Sequence, residues 1–363
     1  MRITSDKHER MTTYSEIGSE YWLSDACQSQ GTEFIPARYG FVGDVLFPLS
    51  GRTAIRCIID DLQNCNQPIK KAYLPAYCCD SMVCPFAHKG VEVVFYDGQP
   101  VNKPDVDLLY VNNYFGYSTE IDLEVVKRYK DQGKTIVYDR THALLLENDT
   151  FTSWADYSFS SFRKWMDVPV GAVLCKHNGA FCKRQLKLCD YVAERIKAMQ
   201  LKADYLSGKE VTKEKFFFYY NAFAHRLTED YADYAMDPIS KKRLQNTDFN
   251  WMRQQRLANI EVLYEGLKDN LNITLWCEET ERCLLFFPIV CRNKDERDGL
   301  RQHLTRNKVY CPVHWPKGEW VKQEYQANTL LDCELSLICD QRYHADDMQY
   351  IIELIQEYFN NKI

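Results

Sequence analysis

The sequence predicts an α/β protein built on a mainly parallel β-sheet. Between about Gly40 and Cys175, short apolar runs alternate with stretches of helical periodicity, a pattern typical of parallel strands joined by helices. Each apolar run ends in polar or small residues. Because the carboxyl ends of parallel strands face one crevice, we expect ligand-binding residues at those ends.

The elements of this region can be placed in order. After Ser50-Gly51 comes a helix, with apolar residues at helical spacing as far as Leu62. The strands predicted after it are Ala72–Leu74, Val91–Tyr96, Leu108–Asn112, Thr135–Asp139, Tyr157–Ser160 and Ala172–Cys175. Helical patterns then cover residues 178–206 and run from the aromatic stretch at Phe216 through Tyr234.

The remainder of the chain predicts a smaller α+β region. It comprises a helix over Asp248–Leu267, strands at Thr274–Trp276, Leu284–Cys291, Val309–Val313 and Leu335–Cys339, and a closing helix at Ala345–Asn360. A length of 363 residues favours two domains. We therefore predict an N-terminal arm (1–40), a large domain (41–245) and a small C-terminal domain (246–363).

Composition limits the function classes. The net charge of −6 gives no reason to expect a nucleic-acid or anionic-membrane surface. The first residues carry charges with no apolar run behind them, which predicts a cytoplasmic protein without a signal peptide or membrane span. Fifteen cysteines, an odd number with no C-x-x-C pair, indicate reduced thiols and no zinc site.

The segment Ser50–Thr53 is the first candidate site. It lies directly before a helix, where free backbone N–H groups and the positive end of the helix dipole can hold a phosphate. Arg52 adds a charge. The alternative is a helix cap by Ser50 or Thr53, which by itself would be the simpler interpretation.

Asp139 and His142 form the second candidate site. Asp139 ends an apolar strand and His142 follows three residues later. A carboxylate at a strand end is typical of cofactor and metal sites, but a helix-capping aspartate is an equal alternative. A lone histidine is more often structural, and the sequence offers little support for a metal.

Lys164 is the third candidate, flanked by Phe162, Arg163 and Trp165. Desolvation or a neighbouring cation lowers the pKa of a lysine and makes it a nucleophile, although an ordinary loop lysine is the alternative. The three candidates together offer partners for a phosphate, a pyridine nitrogen and an aldehyde. Those are the three groups by which pyridoxal 5′-phosphate is held.

Several motifs then connect the chain to a known family. In order they are SGRTAI, LPAYCC, VEVVFYD, VYDRTHA and SFSSFRKW, followed by RQQRLANIEVL and HWP. From about Tyr14 onward, the chain resembles the DegT/DnrJ/StrS sugar aminotransferases among the fold-type-I pyridoxal-phosphate enzymes. The resemblance implies the aspartate aminotransferase fold, with a large domain around a mainly parallel seven-stranded sheet and a small α+β C-terminal domain.

The resemblance also implies roles for the candidate residues. Lys164 matches the lysine that carries the cofactor, Asp139 the partner of the pyridine nitrogen, and His142 a residue near the phenolic oxygen; these three are the predicted catalytic residues. The implied cofactor-binding residues are Gly51, Arg52, Thr53, Tyr77, Cys78, Cys79, Asp139, His142, Ser160, Ser161 and Lys164.

Within that set, the residues from Gly51 to Thr53 match the phosphate-binding turn, and Ser160 or Ser161 matches a serine on the phosphate. Tyr77 or one of the two cysteines after it would cover the ring face, where many relatives have an aromatic residue.

The implied reaction transfers an amino group from glutamate or glutamine to a keto sugar, in this family usually nucleotide-linked, in polysaccharide or secondary-metabolite biosynthesis. The family's active site lies at the interface of a homodimer, and Asn221 and Arg226 are the polar candidates for approaching the partner's site.

Two alternatives stay open: a non-catalytic or regulatory homologue that binds the cofactor, and a lyase or dehydratase on the same fold. Substituted positions at Cys78, Cys79 and Val170 favour the first. Lys164 argues against the second, because related dehydratases commonly have histidine there. His314-Trp315 is expected to line the substrate entrance or to anchor a loop. Arg342 is expected either to bind the donor's carboxylate or to pair with Asp340 or Asp346.

Overall fold

The computed structural model describes residues 14–24, 34–101, 103, 105–117, 121–147, 149–183, 185–277, 280–316, 318, 320 and 327–361. The strands in these ranges are β1 (Ile17–Gly18), β2 (Asp44–Leu46), β3 (Lys71–Pro75), β4 (Glu92–Tyr96), β5 (Leu108–Asn112), β6 (Thr135–Asp139), β7 (Tyr157–Ser161), β8 (Ala172–Lys176), β9 (Ile273–Leu275), β10 (Phe287–Cys291), β11 (Val309–Tyr310) and β12 (Glu334–Leu337). The helices are α1 (Gly51–Asn64), α2 (Asp80–Ala87), α3 (Leu123–Asp131), α4 (Val192–Leu206), α5 (Lys213–Glu229), α6 (Pro238–Gln245), α7 (Phe249–Leu267), α8 (Lys294–Arg306), α9 (Ala327–Cys333) and α10 (Ala345–Asn360).

The large sheet has seven strands in the order β2-β8-β7-β6-β5-β3-β4. Only β8 runs against its neighbours, so the prediction of a mainly parallel seven-stranded sheet is confirmed. The register pairs Asn112 with Asp139 and Asp139 with Phe159. The carboxyl ends of β5, β6 and β7 therefore meet at one edge of the sheet.

Helix α1 packs one apolar face against this sheet. Ile55, Ile58 and Ile59 are buried in the same core as Leu74 and Leu174. The helix predicted after Gly51 is thus confirmed, with its regularly spaced apolar side chains on the one face that contacts the sheet.

The C-terminal region is built on an antiparallel sheet in the order β12-β10-β9, covered by α7, α8 and α10. Helix α10 has the predicted limits, Ala345–Asn360. Ile17 and Trp22 of the N-terminal arm belong to this core, and β1 pairs in parallel with β11. The division into arm, large domain and small domain remains a prediction.

Some predicted elements differ from the structure. The helix predicted from residue 178 begins only at Val192, because the preceding segment is drawn into tertiary hydrogen bonds, such as Phe181 N–H to Asp44. The helix predicted through Tyr234 ends at Glu229, since the carbonyl of Tyr234 accepts from Leu49 N–H at 2.9 Å. The short edge strand β2 was not predicted.

Two strands of the C-terminal region, β10 in the antiparallel sheet and β11 beside β1, are also shorter than predicted. The strand expected from Leu284 begins at Phe287, because the side chain of Arg256 takes up the carbonyls of Leu284 and Leu285. The strand expected to reach Val313 ends at Tyr310. Among the described helices, none combines the length and apolar character that crossing a membrane requires.

Candidate active site

Asp139 lies at the carboxyl end of the central strand β6 and is buried. One side-chain oxygen accepts from the Thr141 N–H at 2.8 Å and the other from the Tyr110 hydroxyl at 2.6 Å. Burial raises the pKa of Asp139, while the hydrogen bonds from Thr141 and Tyr110 act in the opposite direction. The carboxyl group is therefore held in one orientation, and each of its oxygens retains a further lone pair for a ligand.

His142 is also buried, three residues beyond the strand. Its Nδ1 lies 3.3 Å from the Phe115 N–H, which it accepts, so the ring proton of the neutral form resides on Nε2. Burial, together with the charge of Lys164, lowers the pKa of His142 to about 3. Trp315 stacks on the ring at a centroid distance of 5.4 Å. His142 is thus an uncharged group at physiological pH and an electrostatic neighbour of Lys164.

Lys164 ends a short 3-10 turn, Phe162–Lys164, that follows β7 directly. Its side chain is exposed to a cleft of about 510 Å³ and has no hydrogen bond or ion pair to the described residues. Although it reaches this space, protein surrounds it closely enough that desolvation, followed by the charge of Arg163, lowers its pKa to about 8. Glu20 opposes this shift. The amine combines lowered basicity with open access, as a nucleophilic lysine requires.

The turn that carries Lys164 is fixed through the next residue, Trp165, which is fully buried. Its indole N–H donates to the Thr141 carbonyl at 2.7 Å, tying the turn to the segment after Asp139. Its own carbonyl accepts from Tyr21, Gln341 and Arg256 at 2.9, 2.8 and 3.2 Å. Donors from three distant parts of the chain therefore hold the backbone beside Lys164.

The predicted phosphate turn begins α1. Ser50 is the N-cap and accepts from the Thr53 N–H at 3.3 Å. Thr53 is buried and donates its hydroxyl to the Tyr231 carbonyl at 2.8 Å. Both polar groups of Thr53 are therefore engaged within the chain, which leaves Gly51 and Arg52 as the available part of the turn.

Several buried polar atoms near this end of the sheet have no hydrogen-bond partner among the described residues. They include the Oγ of Ser160, the Nε of Arg52 and both polar side-chain atoms of Asn112. Ser161, the next residue of β7, is buried as well. Buried polar atoms are almost always paired in folded proteins. Unpaired donors at a strand end and at a helix start are therefore suited to an anionic ligand.

Of the three residues predicted to cover a cofactor ring, the structure separates Cys79 from the other two. Cys78 is buried in the core, and the Tyr77 hydroxyl donates to the His314 carbonyl. Cys79 is partly buried at the N-cap of α2 and interacts electrostatically with Lys164, whereas both cysteines interact with Tyr110. Cys79 is therefore the residue of this set that borders the site.

The cleft in front of Lys164 is lined by charged residues from the arm, from α5 and from the C-terminal region. Two of its cations are neutralised: Arg342 binds Asp340 with contacts of 2.7 and 2.8 Å, and Lys213 contacts Glu16 at 2.5 Å. Of the two roles predicted for Arg342, the structure shows the ion pair with Asp340. Arg163 also lines the cleft and has no ion pair within the described ranges.

His314 lies on the cleft wall and is buried, with its Nδ1 2.8 Å from the Ser336 hydroxyl. Its ring meets that of His142 at 5.3 Å. Of the predicted pair, His314 lines the cleft, whereas Trp315 is buried in the core against Tyr77 and His142, which agrees with the alternative of a loop anchor. Asn221 is exposed on α5, and Arg226 pairs with Asp190 at 3.0 Å, so any contact of these residues with a partner remains a prediction.

Sequence reasoning missed two residues that shape the site. Glu20, in the arm, modulates the charge of Lys164. Arg256, fully buried on α7, supports the turn after Lys164. Arg256 falls within the motif RQQRLANIEVL, which supported the family resemblance but did not indicate a role for this arginine. No local pattern marks Glu20.

Comparison with known proteins gives a fold and no family. No family model and no curated protein sequence matches the chain. Spr1654 from Streptococcus pneumoniae, in its PLP form, is 14% identical with a TM-score of 0.65, covering 96% of this chain and 100% of its own. PseC from Helicobacter pylori, an aminotransferase of pseudoaminic acid biosynthesis, is 15% identical with a TM-score of 0.65, covering 95% and 100%.

A third similar structure is that of DesI in the presence of its TDP-sugar product, 12% identical with a TM-score of 0.61, covering 96% of this chain and 97% of DesI. Because identity is low and coverage is nearly complete, these likenesses establish the fold over almost the whole chain. The protein has the fold-type-I architecture of pyridoxal-phosphate-dependent transferases, as the sequence predicted.

Proposed function

We propose that the protein is a pyridoxal-phosphate-dependent aminotransferase that transfers an amino group from glutamate or glutamine to a keto sugar. The observation that carries the proposal is Lys164, an unpaired amine with a pKa of about 8 that opens into a 510 Å³ cleft. Its place after β7, beside the strand that ends in Asp139, supports the role implied by the motifs.

The residues present fit this cofactor. Lys164 would bind it covalently, and Asp139 would hold the pyridine nitrogen. Gly51, Arg52 and the unpaired hydroxyl of Ser160 would receive the phosphate. Such a cofactor, when bound, supplies an electron sink for the carbon that loses its proton.

The chain's own contribution to the chemistry is proton transfer and binding. Since the pKa of Lys164 is about 8, its Nζ is available in both protonation states near neutral pH and can take up and return a proton. Asp139, fixed by Tyr110 and Thr141, provides a negative charge in a buried environment. His142 offers a neutral N–H, because its pKa of about 3 keeps it uncharged.

Arg163 is the residue that we propose for the carboxylate of the amino donor. It lines the cleft next to Lys164, whereas Arg342 is already neutralised by Asp340. A guanidinium without a partner binds a carboxylate through charge-assisted hydrogen bonds. The acceptor is proposed from similarity: DesI was solved with a TDP-sugar product, and PseC acts in the biosynthesis of pseudoaminic acid.

A cytoplasmic homodimer that works in polysaccharide or secondary-metabolite biosynthesis completes the proposal. A second candidate, a regulatory homologue that binds the cofactor without turnover, is favoured by Cys79, which borders the site where relatives commonly have an aromatic ring.

One titration separates the two functions. Purified protein mixed with pyridoxal phosphate should develop a near-visible absorbance band, and this band should disappear when L-glutamate or L-glutamine is added. A band that persists with every amino donor would favour the regulatory function. If no band forms at all, the proposed cofactor is wrong.

A further inference from the structure

We propose that Cys65 and Cys182 form a redox-sensitive thiol pair that a hydroperoxide oxidises to a disulfide. Their sulfur atoms lie 3.0 Å apart although the residues are separated by 117 positions in the chain. Cys65 is the C-cap of α1, and Cys182 belongs to the segment after β8. Cys182 is exposed and Cys65 partly buried, so a small oxidant can reach the pair.

A buried carboxylate holds the two thiols together. Asp61, in the last turn of α1, accepts from the Cys182 N–H and from the Lys176 amine, each at 2.7 Å. The Tyr157 hydroxyl donates to it as well, at 2.7 Å. The backbone of Cys182 is thus fixed to the helix that ends at Cys65, and the sulfur atoms meet without rearrangement.

The surroundings assign different roles to the two sulfur atoms. Either thiol can donate in the contact between the two sulfur atoms. The hydrogen bond with Cys65, followed by desolvation, raises the pKa of Cys182 to about 11. Cys65 additionally accepts from the amine of Lys176, which lies 3.5 Å from its sulfur. We assign Cys65 as the sulfur that attacks the oxidant, because both neighbours stabilise the negative charge that develops on it.

The reaction balances with hydrogen peroxide as the oxidant. The sulfur of Cys65 attacks one peroxide oxygen, the O–O bond breaks, and a sulfenic acid and one water form. The sulfur of Cys182 then attacks the sulfenic sulfur, the S–S bond forms, and the second water leaves. Two thiols lose two electrons and two protons, which reduce one peroxide to two waters, and a dithiol reductant reverses the change.

A bound metal is the competing interpretation of this cluster. Asp61, Cys65 and Cys182 offer three ligand atoms within 4.8 Å of one another. Lys176, however, already places an ammonium 2.7 Å from Asp61 and 3.5 Å from Cys65, where it would repel a divalent cation. The cation position of the cluster is therefore taken by the chain itself.

Peptide mapping of the full-length protein tests the proposal. After treatment with a small excess of hydrogen peroxide, a non-reduced digest should contain the Cys65–Cys182 cross-linked peptide, and the titratable thiol count should fall by two and recover with dithiothreitol. The variants Cys65→Ser and Cys182→Ser should lose the cross-link. Cys57→Ser, on the same helix, should keep the cross-link. Burial raises the pKa of Cys57 to about 12, so this thiol is unreactive and takes no part in the oxidation.

The mapping on the wild-type chain decides the matter even where a variant fails to fold. Oxidation of Cys182 to sulfinic acid without a cross-link, or a cross-link to another cysteine, would overturn the proposal. Protection of both thiols by Zn²⁺ alone, with one ion bound per chain, would overturn it in favour of a metal site.

Discussion

Lys164 and Lys202 are two lysines with lowered pKa values in very different surroundings. Desolvation lowers the pKa of Lys164 to about 8 and that of Lys202 to about 7. Lys202 is fully buried on α4, where its amine donates to the Glu20 carbonyl at 2.6 Å and lies 3.8 Å from Glu16. Lys164 opens into the cleft without a partner.

A lowered lysine pKa therefore reports desolvation of the amine and not its reactivity. Reactivity also requires a free lone pair and space for a substrate, and of these two lysines only Lys164 has both. Lys202 instead joins the arm to α4, beneath the ring of Trp22 at 5.2 Å. The charge of Glu20 raises the pKa of both lysines, so the arm couples the two environments.

Replacing Lys164 should change cofactor binding and turnover more than any other substitution, and replacing Lys202 provides the comparison. Lys164→Ala should abolish the near-visible band formed with pyridoxal phosphate and reduce turnover roughly 1,000-fold or more, because both covalent binding and proton transfer are lost. Lys202→Met should retain the band. Absorbance spectra and steady-state kinetics measure both variants. A band of parental size in Lys164→Ala would refute the assignment.

The next effect concerns the charge of Asp139. Asn at this position can still hydrogen-bond with Thr141 and Tyr110, so Asp139→Asn removes charge and keeps shape. We expect turnover to fall on the order of 100-fold. Tyr110→Phe removes one hydrogen bond to the carboxylate and should have a smaller effect. Unchanged kinetics in Asp139→Asn, with folding verified by circular dichroism, would contradict its role.

A third prediction concerns how the free energy of unfolding depends on pH because of Lys202. The folded state has a pKa of about 7 there, whereas an unfolded lysine titrates near about 10.4. Between these values the unfolded chain binds a proton that the folded chain lacks, so the free energy of unfolding rises with pH, by up to about 1.4 kcal/mol per pH unit from this group.

Lys202→Met should therefore flatten the increase in stability between pH 7 and pH 9, as measured by urea unfolding. The exposed Lys209→Met serves as the matched control and should keep the slope of the parent. Equal slopes in the parent and in Lys202→Met would mean that Lys202 is not desolvated in the folded protein.

Substitutions of the charged neighbours of Lys164 should have the smallest effect, a shift in the pKa of its amine. Arg163 lowers the pKa of Lys164 and Glu20 raises it. Arg163→Met should therefore move the pKa above about 8, and Glu20→Gln should move it below that value. Each shift should be on the order of one pH unit or less. The pH dependence of Lys164 acylation, followed by mass spectrometry, measures them, and shifts of the same sign would be inconsistent with this electrostatic arrangement.

Local patterns were sufficient for much of the fold. Helix α10 has its predicted limits, and β5 and β6 match the predicted strands residue for residue, because buried faces impose a regular spacing on apolar residues. Element ends were less predictable. Helix α5 stops at Glu229 because the chain beyond it bonds to Leu49, a contact that sequence spacing does not reveal.

The candidate site shows the same division. Sequence patterns are enough to identify the residues that carry reactive groups at strand ends, Asp139 and Lys164 among them, since parallel strands bring their carboxyl ends to one edge. They do not reveal that Lys164 is unpaired while Arg342 is bound to Asp340, or that Cys79 rather than Cys78 borders the site. Charge pairing and desolvation depend on residues distant in the chain, such as Glu20 and Arg256, so they become definite only when the chain is folded.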